Sequence, residues 1–409
     1  MYRCMKILIP VTDSQSNIIG HMEYAARKLW NVANYHLRNW QALGLPRMPS
    51  MYEQKSAMKT NMWFKSLPSQ TAQEVIRDLH EGWKSYFALK KSGGIENPKP
   101  PKFKSENRSI TYMENGLQHK SDTVRFTISK NMKQYMADKY DVHEQYLYLR
   151  NSMFARLRNI KTIQLELKGK NFVEAIVVYD VEDISFKPDN GHYLSIDLGV
   201  KNLMTCYDSC GQGFIIGGGR YIHTVRYFEK EIAKYRAVNA KNQLALGVKY
   251  PKDSKRICRL YQKKQNSIRD YLHKASAYIA KYCERSNISC VVVGDITGIR
   301  NGNNHGKRGN QAFHALPYRR LTEMLRYKLA DRGIRLITQE ESYTSQCSPF
   351  VSICKENAEP QNRIKRGLYL VNQCCYNADM VGARNILRKA VPDTDFPIAG
   401  LSDPIHVIV

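Results

Sequence analysis

One short stretch, residues 192–208 (HYLSIDLGVKNLMTCYD), constrains the chain more than any other. Its apolar run at 193–196 has strand character and ends on Asp197; Gly199 then turns the chain into a second apolar run at 203–207. Those two runs predict an antiparallel hairpin. A carboxylate inside a buried strand is costly unless a cation or a dense set of hydrogen bonds compensates it. From this stretch alone two readings stand: a turn aspartate that caps a hairpin, or a ligand for a metal.

Charge narrows the partner. The 409 residues carry 63 Lys and Arg against 37 Asp and Glu, a net charge of +26. Such an excess favours a polyanion, since neutralising phosphates releases counterions. No apolar run approaches the ~20 residues that span a bilayer, and the first residues lack a signal-peptide core. A cytoplasmic chain is expected, with its 10 cysteines as thiols or metal ligands rather than disulfides.

The amino-terminal part is expected to begin with a short strand at 5–11 and a capping Thr12-Asp13-Ser14, followed by an amphipathic helix at 17–43. A second helix follows Pro68, with Ala72, Val75, Ile76, Leu79, Trp83 and Phe87 on one stripe. Its aromatics are expected in a core rather than against bases. Gly93-Gly94 ends that helix. The basic, proline-rich stretch 97–104 carries Lys99, Lys102 and Lys104 and suits either a linker or an arm along phosphates. From 109 to 182 the period becomes two, with lysines between apolar positions, which predicts a small β-barrel of the oligonucleotide-binding sort.

Beyond the hairpin, the spacing predicts helices at 228–238 and 256–286. The longer one has Arg259, Lys263, Lys264, Arg269 and Lys274 opposite its apolar stripe, a candidate phosphate ridge. A strand at 288–293 buried on both faces ends at Gly294-Asp295, making Asp295 a second candidate carboxylate. A basic glycine loop, 301–310, holds Lys307 and Arg308. A helix at 318–331 and a strand at 333–338 then lead into Glu340-Glu341. Asp379 precedes a helix at 380–389, where it could equally be an N-cap.

Taken together, IDLGVKNL, a long basic helix, VVVGDITGIR, the glycine loop, NQAFHALPYRRLTEMLRYKLADRGI, EESYTSQCS and RIKRGLY followed by NADMVGARNIL resemble the TnpB-type (OrfB) transposon-encoded RNA-guided endonucleases, relatives of the type V CRISPR effector nucleases. The resemblance is strong over 193–389; PSQTAQEVIRDL and PPKFKS match more loosely. It implies a multidomain α+β chain. A β-barrel (wedge) domain, 1–12 and 109–188, is interrupted by a helical recognition domain, 13–108. A RuvC/RNase H-like nuclease domain, 189–343 and 376–391, holds a target-nucleic-acid-binding insert, 344–375, and a tail, 392–409, follows.

The resemblance further implies Mg2+-dependent hydrolysis of DNA by two ions, with Asp197 shared and Glu341 and Asp379 each completing one, a guide RNA and a target DNA as partners, and a short target-adjacent motif read by the protein. Typical members place the glutamate in the central strand, where this chain has Gly294; one branch places it before YTS. Glu341 is therefore assigned, with Glu340 and Asp295 as alternates. Arg363, Lys365 and Arg366 join the nucleic-acid candidates. The family's zinc finger is degenerate: Cys347, Cys354, Cys374 and Cys375 remain, and adjacent cysteines fit a tetrahedral Zn2+ site poorly. Val381 replaces the Asn expected two residues after the last Asp. The competing reading is an RNA-guided DNA-binding repressor that does not cut. A DNA-joining transposase using Tyr343 lacks an accompanying paired-histidine motif.

Overall fold

The computed structural model of the chain describes residues 2–182, 184–295, 317–365, 367–392 and 394–409. Two compact units divide it, Met1–Asp183 and Ile184–Val409.

In the first unit, strand β1 (Tyr2–Pro10) leads into helix α1 (Asp13–Arg38), which Thr12 starts through a capping box with Gln15. Short helices α2 (Met51–Met58) and α3 (Met62–Lys65) precede α4 (Ser69–Ser92), which Gly93 ends in a left-handed conformation. Strands β2 (Ile110–Met113), β3 (Leu117–Lys120) and β4 (Thr123–Thr127), helix α5 (Lys130–Tyr140), and strands β5 (Tyr146–Arg150), β6 (Ile160–Leu167) and β7 (Phe172–Asp180) complete it.

The strands pair as a four-stranded antiparallel sheet, β1-β7-β6-β2, and a three-stranded one, β3-β4-β5. The expected barrel is therefore seen as two sheets, and among the described residues no ladder joins them into a closed one. Helices and strands share one core, in which Leu29, Ile76, Leu79, Phe126 and Ile163 are fully buried. Trp83 is in that core, as its stripe position predicts, and donates to Asn34 Oδ1 at 3.1 Å, whereas Phe87, one turn on and near the helix end, is exposed against that expectation.

The proline-rich stretch is neither a free arm nor a slack linker. Asn34 Nδ2 donates to Pro101 O at 2.9 Å, Trp30 Nε1 to Lys102 O at 3.1 Å, and Asn31 Nδ2 to Lys104 O at 2.9 Å. A backbone that proline bars from any ladder is thus satisfied by side chains of α1, while Lys99, Lys102 and Lys104 stay exposed.

The second unit is built on one six-stranded sheet. Its strands are β8 (Tyr193–Leu198), β9 (Asn202–Asp208), β10 (Gly213–Gly217), β11 (Cys290–Asp295), β12 (Arg335–Glu340) and β15 (Ile405–Val407). They run in the order β12-β11-β8-β9-β10-β15. The predicted hairpin is present: β8 and β9 pair antiparallel with Asp197 opposite Thr205. β11 lies parallel to both β8 and β12, and β15 adds to β10 in parallel.

Helices α6 (Gly219–Ala245), α7 (Lys255–Arg285) and α8 (Tyr318–Ala330) belong to this unit, and a small hairpin, β13 (Leu368–Val371) and β14 (Cys374–Asn377), feeds helix α9 (Ala378–Ala390). α7 and α8 bury Leu272, Ala275, Ile279, Leu321 and Leu325 in one core with Leu194, Ile196 and Val293 of the sheet. α9 buries Met380, Val381, Ala383 and Ile386 in a second core with Ile215 and Val292. Neighbouring strand residues point to opposite faces, so the two cores mark helices on both sides of the sheet.

Candidate active site

The structure brings the candidate carboxylates together where β8, β11 and β12 end. β8 and β11 run side by side with Ile196 opposite Val293, which sets Asp197 level with Gly294. On the other side of β11, Gly294 pairs with Gln339 and Asp295 with Glu340. Glu341 is the first residue past β12, and its side chain reaches back over β11. A Cβ built on Gly294 would lie 1.6 Å from Glu341 Oε1 and 2.5 Å from its Cδ. The glutamate fills the space that a side chain at 294 would need.

Asp379 comes from the opposite direction, in the first turn of α9. It is not the N-cap: Asn377 holds that role, its Oδ1 accepting from the N–H groups of Asp379 and Met380 at 3.0 and 3.2 Å. The Asp379 carboxylate is thereby left for other partners. Asn202 Nδ2 donates to its Oδ2 at 2.8 Å, and Arg363 pairs with its Oδ1 at 3.0 Å. α9 lies close on β8 because residue 382 is glycine, whose added Cβ would stand 3.0 Å from Asp197 Oδ2.

Negative charge is concentrated here and only partly answered: Arg363 pairs with Asp379 and Lys389 with Glu340, while no ion pair reaches Asp197 or Glu341 among the described residues. Burial, and then the neighbouring Asp379 carboxylate, push Asp197 up to about 7. Burial, then Asp197, Asp295 and Glu340, push Glu341 up to about 8. Glu341 Oε1 is buried with no hydrogen-bond partner. Like charges held close raise each other's proton affinity, and a divalent cation relieves the same repulsion. The donors are hard carboxylate oxygens, which suit Mg2+. Among the described residues no three acidic, His or Cys side chains already close on a single point. The orphaned Glu341 oxygen and the mutual repulsion are what fit the residues to a cation.

The alternates are engaged otherwise. Glu340 is exposed; its bonds to Lys389, and then to Ser342, hold it down at about 2. Asp295 is exposed at the end of β11.

The four cysteines of the degenerate zinc finger do not assemble. Cys347 is buried and donates to Cys354 O at 3.3 Å, whereas Cys374 and Cys375 are exposed neighbours on β14, which a strand turns to opposite faces. All ten cysteines are free thiols.

Of the basic candidates, Arg259 and Lys263 are exposed on α7, but Lys264 is mostly buried in a 2.9 Å ion pair with Glu229 of α6. Lys264 ties two helices together, which removes it from the expected ridge. Arg363 lies at the carboxylates and Lys365 is exposed. Lys307, Arg308 and Arg366 lie outside the described residues.

Sequence reasoning missed Asn202 and Gly382. Both signals were present, the Asn directly after the turn in GVKNL and the Gly three residues after Asp379, but each gains meaning only once α9 is laid on β8. It also gave Asn385 no role. That buried amide donates to Thr344 O and Cys347 O, both at 2.9 Å, and so fastens the turn after Glu341 to the helix that bears Asp379.

Comparison with known proteins agrees with this architecture. A family model described as "Probable transposase" (OrfB_IS605) matches residues 176–300, and one described as "Cas12f1-like, TNB domain" matches 318–386. The chain is 24% identical over 359 residues to the "Putative RNA-guided DNA endonuclease InsQ" of Escherichia coli strain K12, covering 82% of this chain and 78% of that one. It is 30% identical over 131 residues to the "CRISPR-associated endodeoxyribonuclease Cas12f1" of Sulfoacidibacillus thermotolerans, covering 31% and 28%. The fold is similar to a chain in a Cas12f1–sgRNA–target DNA complex, with a TM-score of 0.55 at 14% identity, over 91% of this chain and 81% of that one. In sequence the chain is similar to TnpB-type proteins and to type V CRISPR effectors, and in fold to a Cas12f1 chain.

Proposed function

We propose that this protein is an RNA-guided DNA endonuclease that hydrolyses phosphodiester bonds in a Mg2+-dependent, RuvC-type site formed by Asp197, Glu341 and Asp379. The observation that carries the reading is the space shared by Gly294 and Glu341: the glutamate that follows β12 stands where the central strand has no side chain, beside Asp197. A buried carboxylate oxygen without a hydrogen-bond partner is costly unless a cation answers it, which favours an intact site over an inactive one. The names of the relatives support the guide and the DNA target.

Asp197, Glu341 and Asp379 would hold the ions, which when bound activate a water and stabilise the leaving oxygen. Everything else is done by the chain. Asn202 fixes the Asp379 carboxylate by donating to one of its oxygens, leaving the second to Arg363. Lys389 draws Glu340 aside so that Glu341 alone enters the cluster. Asp197 and Glu341 are partly buried, which reduces the screening of charge between them. The first unit and the 344–375 insert would hold the guide RNA and target DNA and read a short motif beside the target, while base pairing reads the sequence.

The test is to purify the chain with RNA from its own locus, sequence that RNA, and offer matching DNA with Mg2+ or with EDTA. Programmed cutting that needs Mg2+ and disappears in Asp197→Ala is expected. Guide-dependent binding without any cutting would replace the endonuclease with the repressor.

A further inference from the structure

Apart from the carboxylate site, the first unit holds a cavity of about 710 Å³ between α1, α3 and α5. That volume is in the roughly 300–1,000 Å³ range of small-ligand sites and too small for a duplex. One corner is aromatic. Tyr24 and Trp63 meet with centroids 5.6 Å apart and planes at 70°, so a flat ring stacked on one presents its edge to the other. Tyr135 stands on the facing wall.

The polar lining is as telling. The amides of Asn17, Asn107 and Asn131 line the cavity and have no side-chain partner among the described residues. Each offers a donor and an acceptor side by side, the pattern of a nucleobase edge. Cations flank these rings from outside the lining, Arg27 among them although it also donates to Ser105 O at 2.6 Å. Arg27 lies 4.8 Å and Lys28 5.4 Å from the Tyr24 ring, Lys28 is also 5.9 Å from Trp63, and Lys139 is 5.6 Å from Tyr135. None of the three pairs with a carboxylate among the described residues, and no acidic residue lines the cavity. An apolar metabolite or a peptide would leave this charge unanswered, whereas a nucleotide brings a π face, a hydrogen-bonding edge and a phosphate together.

The geometry points to this cavity as a pocket for a single unstacked nucleobase, its ring against Tyr24 and Trp63, its edge on the asparagine amides, and its phosphates on Arg27, Lys28 and Lys139. The inference rests on the nucleic-acid partners proposed above. The strand that supplies the base is either the guide RNA or the target DNA.

The experiment places 5-iodouracil at successive positions of the co-purified RNA, made by transcription, and of matching DNA. The full-length complex is irradiated and the adducts are mapped by mass spectrometry. Adducts on Tyr24, Trp63 or Tyr135 from one position of one strand are expected, and the strand that gives them identifies the source. Trp63→Ala and the exposed Asn131→Ala should weaken binding of that strand, Trp63→Ala by roughly five- to a hundredfold, with Trp63→Phe restoring most of it. Unchanged melting temperatures separate this loss from unfolding. Adducts that map elsewhere, with affinity unchanged in both variants, overturn the pocket while guided cutting persists. If neither strand binds the wild-type chain, the pocket and the proposed function fall together.

Discussion

Gly294 and Glu341 contend for one volume. An alanine at 294 would place its methyl 1.6 Å from Glu341 Oε1, and real Cβ contacts essentially never fall below 3.0 Å. The atom that must yield is the end of a flexible side chain, so the fold should tolerate the change while the carboxylate is displaced. Gly294→Ala is therefore expected to melt within a few degrees of wild type and to lose guided cleavage. Gly294→Glu combined with Glu341→Gly should recover part of it, because the carboxylate returns from the other strand. A cutting assay on both variants checks this. Glu23 offers an independent test. It is buried in α1, accepts from Leu167 N at 2.8 Å, and is raised by burial from its usual 4.5 to about 7. The folded state then binds a proton that the unfolded state has released between those values. Stability should fall as pH rises from about 4.5 to 7 and level off above. Glu23→Gln keeps the acceptor and removes the charge. It should be more stable than wild type at pH 8, by on the order of 2 kcal/mol, and indistinguishable near pH 4 in denaturant titrations.

At the scale of elements, α9 organises the site: it carries Asp379, brings Gly382 against Asp197, and ties the turn after Glu341 through Asn385. Asn385→Ala leaves two carbonyls without their donor and should cost roughly 2–4 kcal/mol in thermal or chemical unfolding. Its effect on cutting should exceed that of Asn377→Ala, a lost cap costing about 1 kcal/mol, because only Asn385 holds the Glu341 turn. What could be read from sequence follows the same division. β8, β9, β11, α7 and the Thr12 cap were legible because periodicity and capping are local. The strand at 5–11 and the helix after Pro68 were legible for that reason as well. α5 was not, because its Met132 and Met136 face the core from a short, otherwise polar helix within a region of period two. α6 runs from Gly219 to Ala245, far past its predicted ends, since exposed positions carry no periodic signal. β15 was invisible: its Ile405 is exposed, and only pairing with β10 makes it a strand. Asp197 lay at the end of a predicted strand, whereas Asp379, which its position alone leaves as an N-cap, became a candidate only through the family resemblance. The resemblance assigned Glu341 with Glu340 as alternate; what the sequence could not show is the pairing of Glu340 with Lys389, 49 residues away in the chain.

For the whole molecule, charge dominates. The net charge is +26, and Lys99, Lys102, Lys104, Arg259 and Lys263 are exposed, which leaves them as the candidates for phosphate. Affinity for unrelated DNA should fall roughly a thousandfold between about 50 and 200 mM salt in filter binding, whereas guided binding, held also by base pairing, should fall less. Asp197→Ala should leave both slopes unchanged. The claim on which the account turns is that Glu341 completes the catalytic cluster while Asp295, adjacent to the glycine of the central strand, does not. Guided DNA cleavage in Mg2+ by Glu341→Ala and Asp295→Ala, with guide-dependent binding measured alongside, tests it most directly. Glu341→Ala is expected to bind target and not to cut, and Asp295→Ala to bind and cut. Cutting by Glu341→Ala at the wild-type rate, or its loss in Asp295→Ala alone, would contradict it.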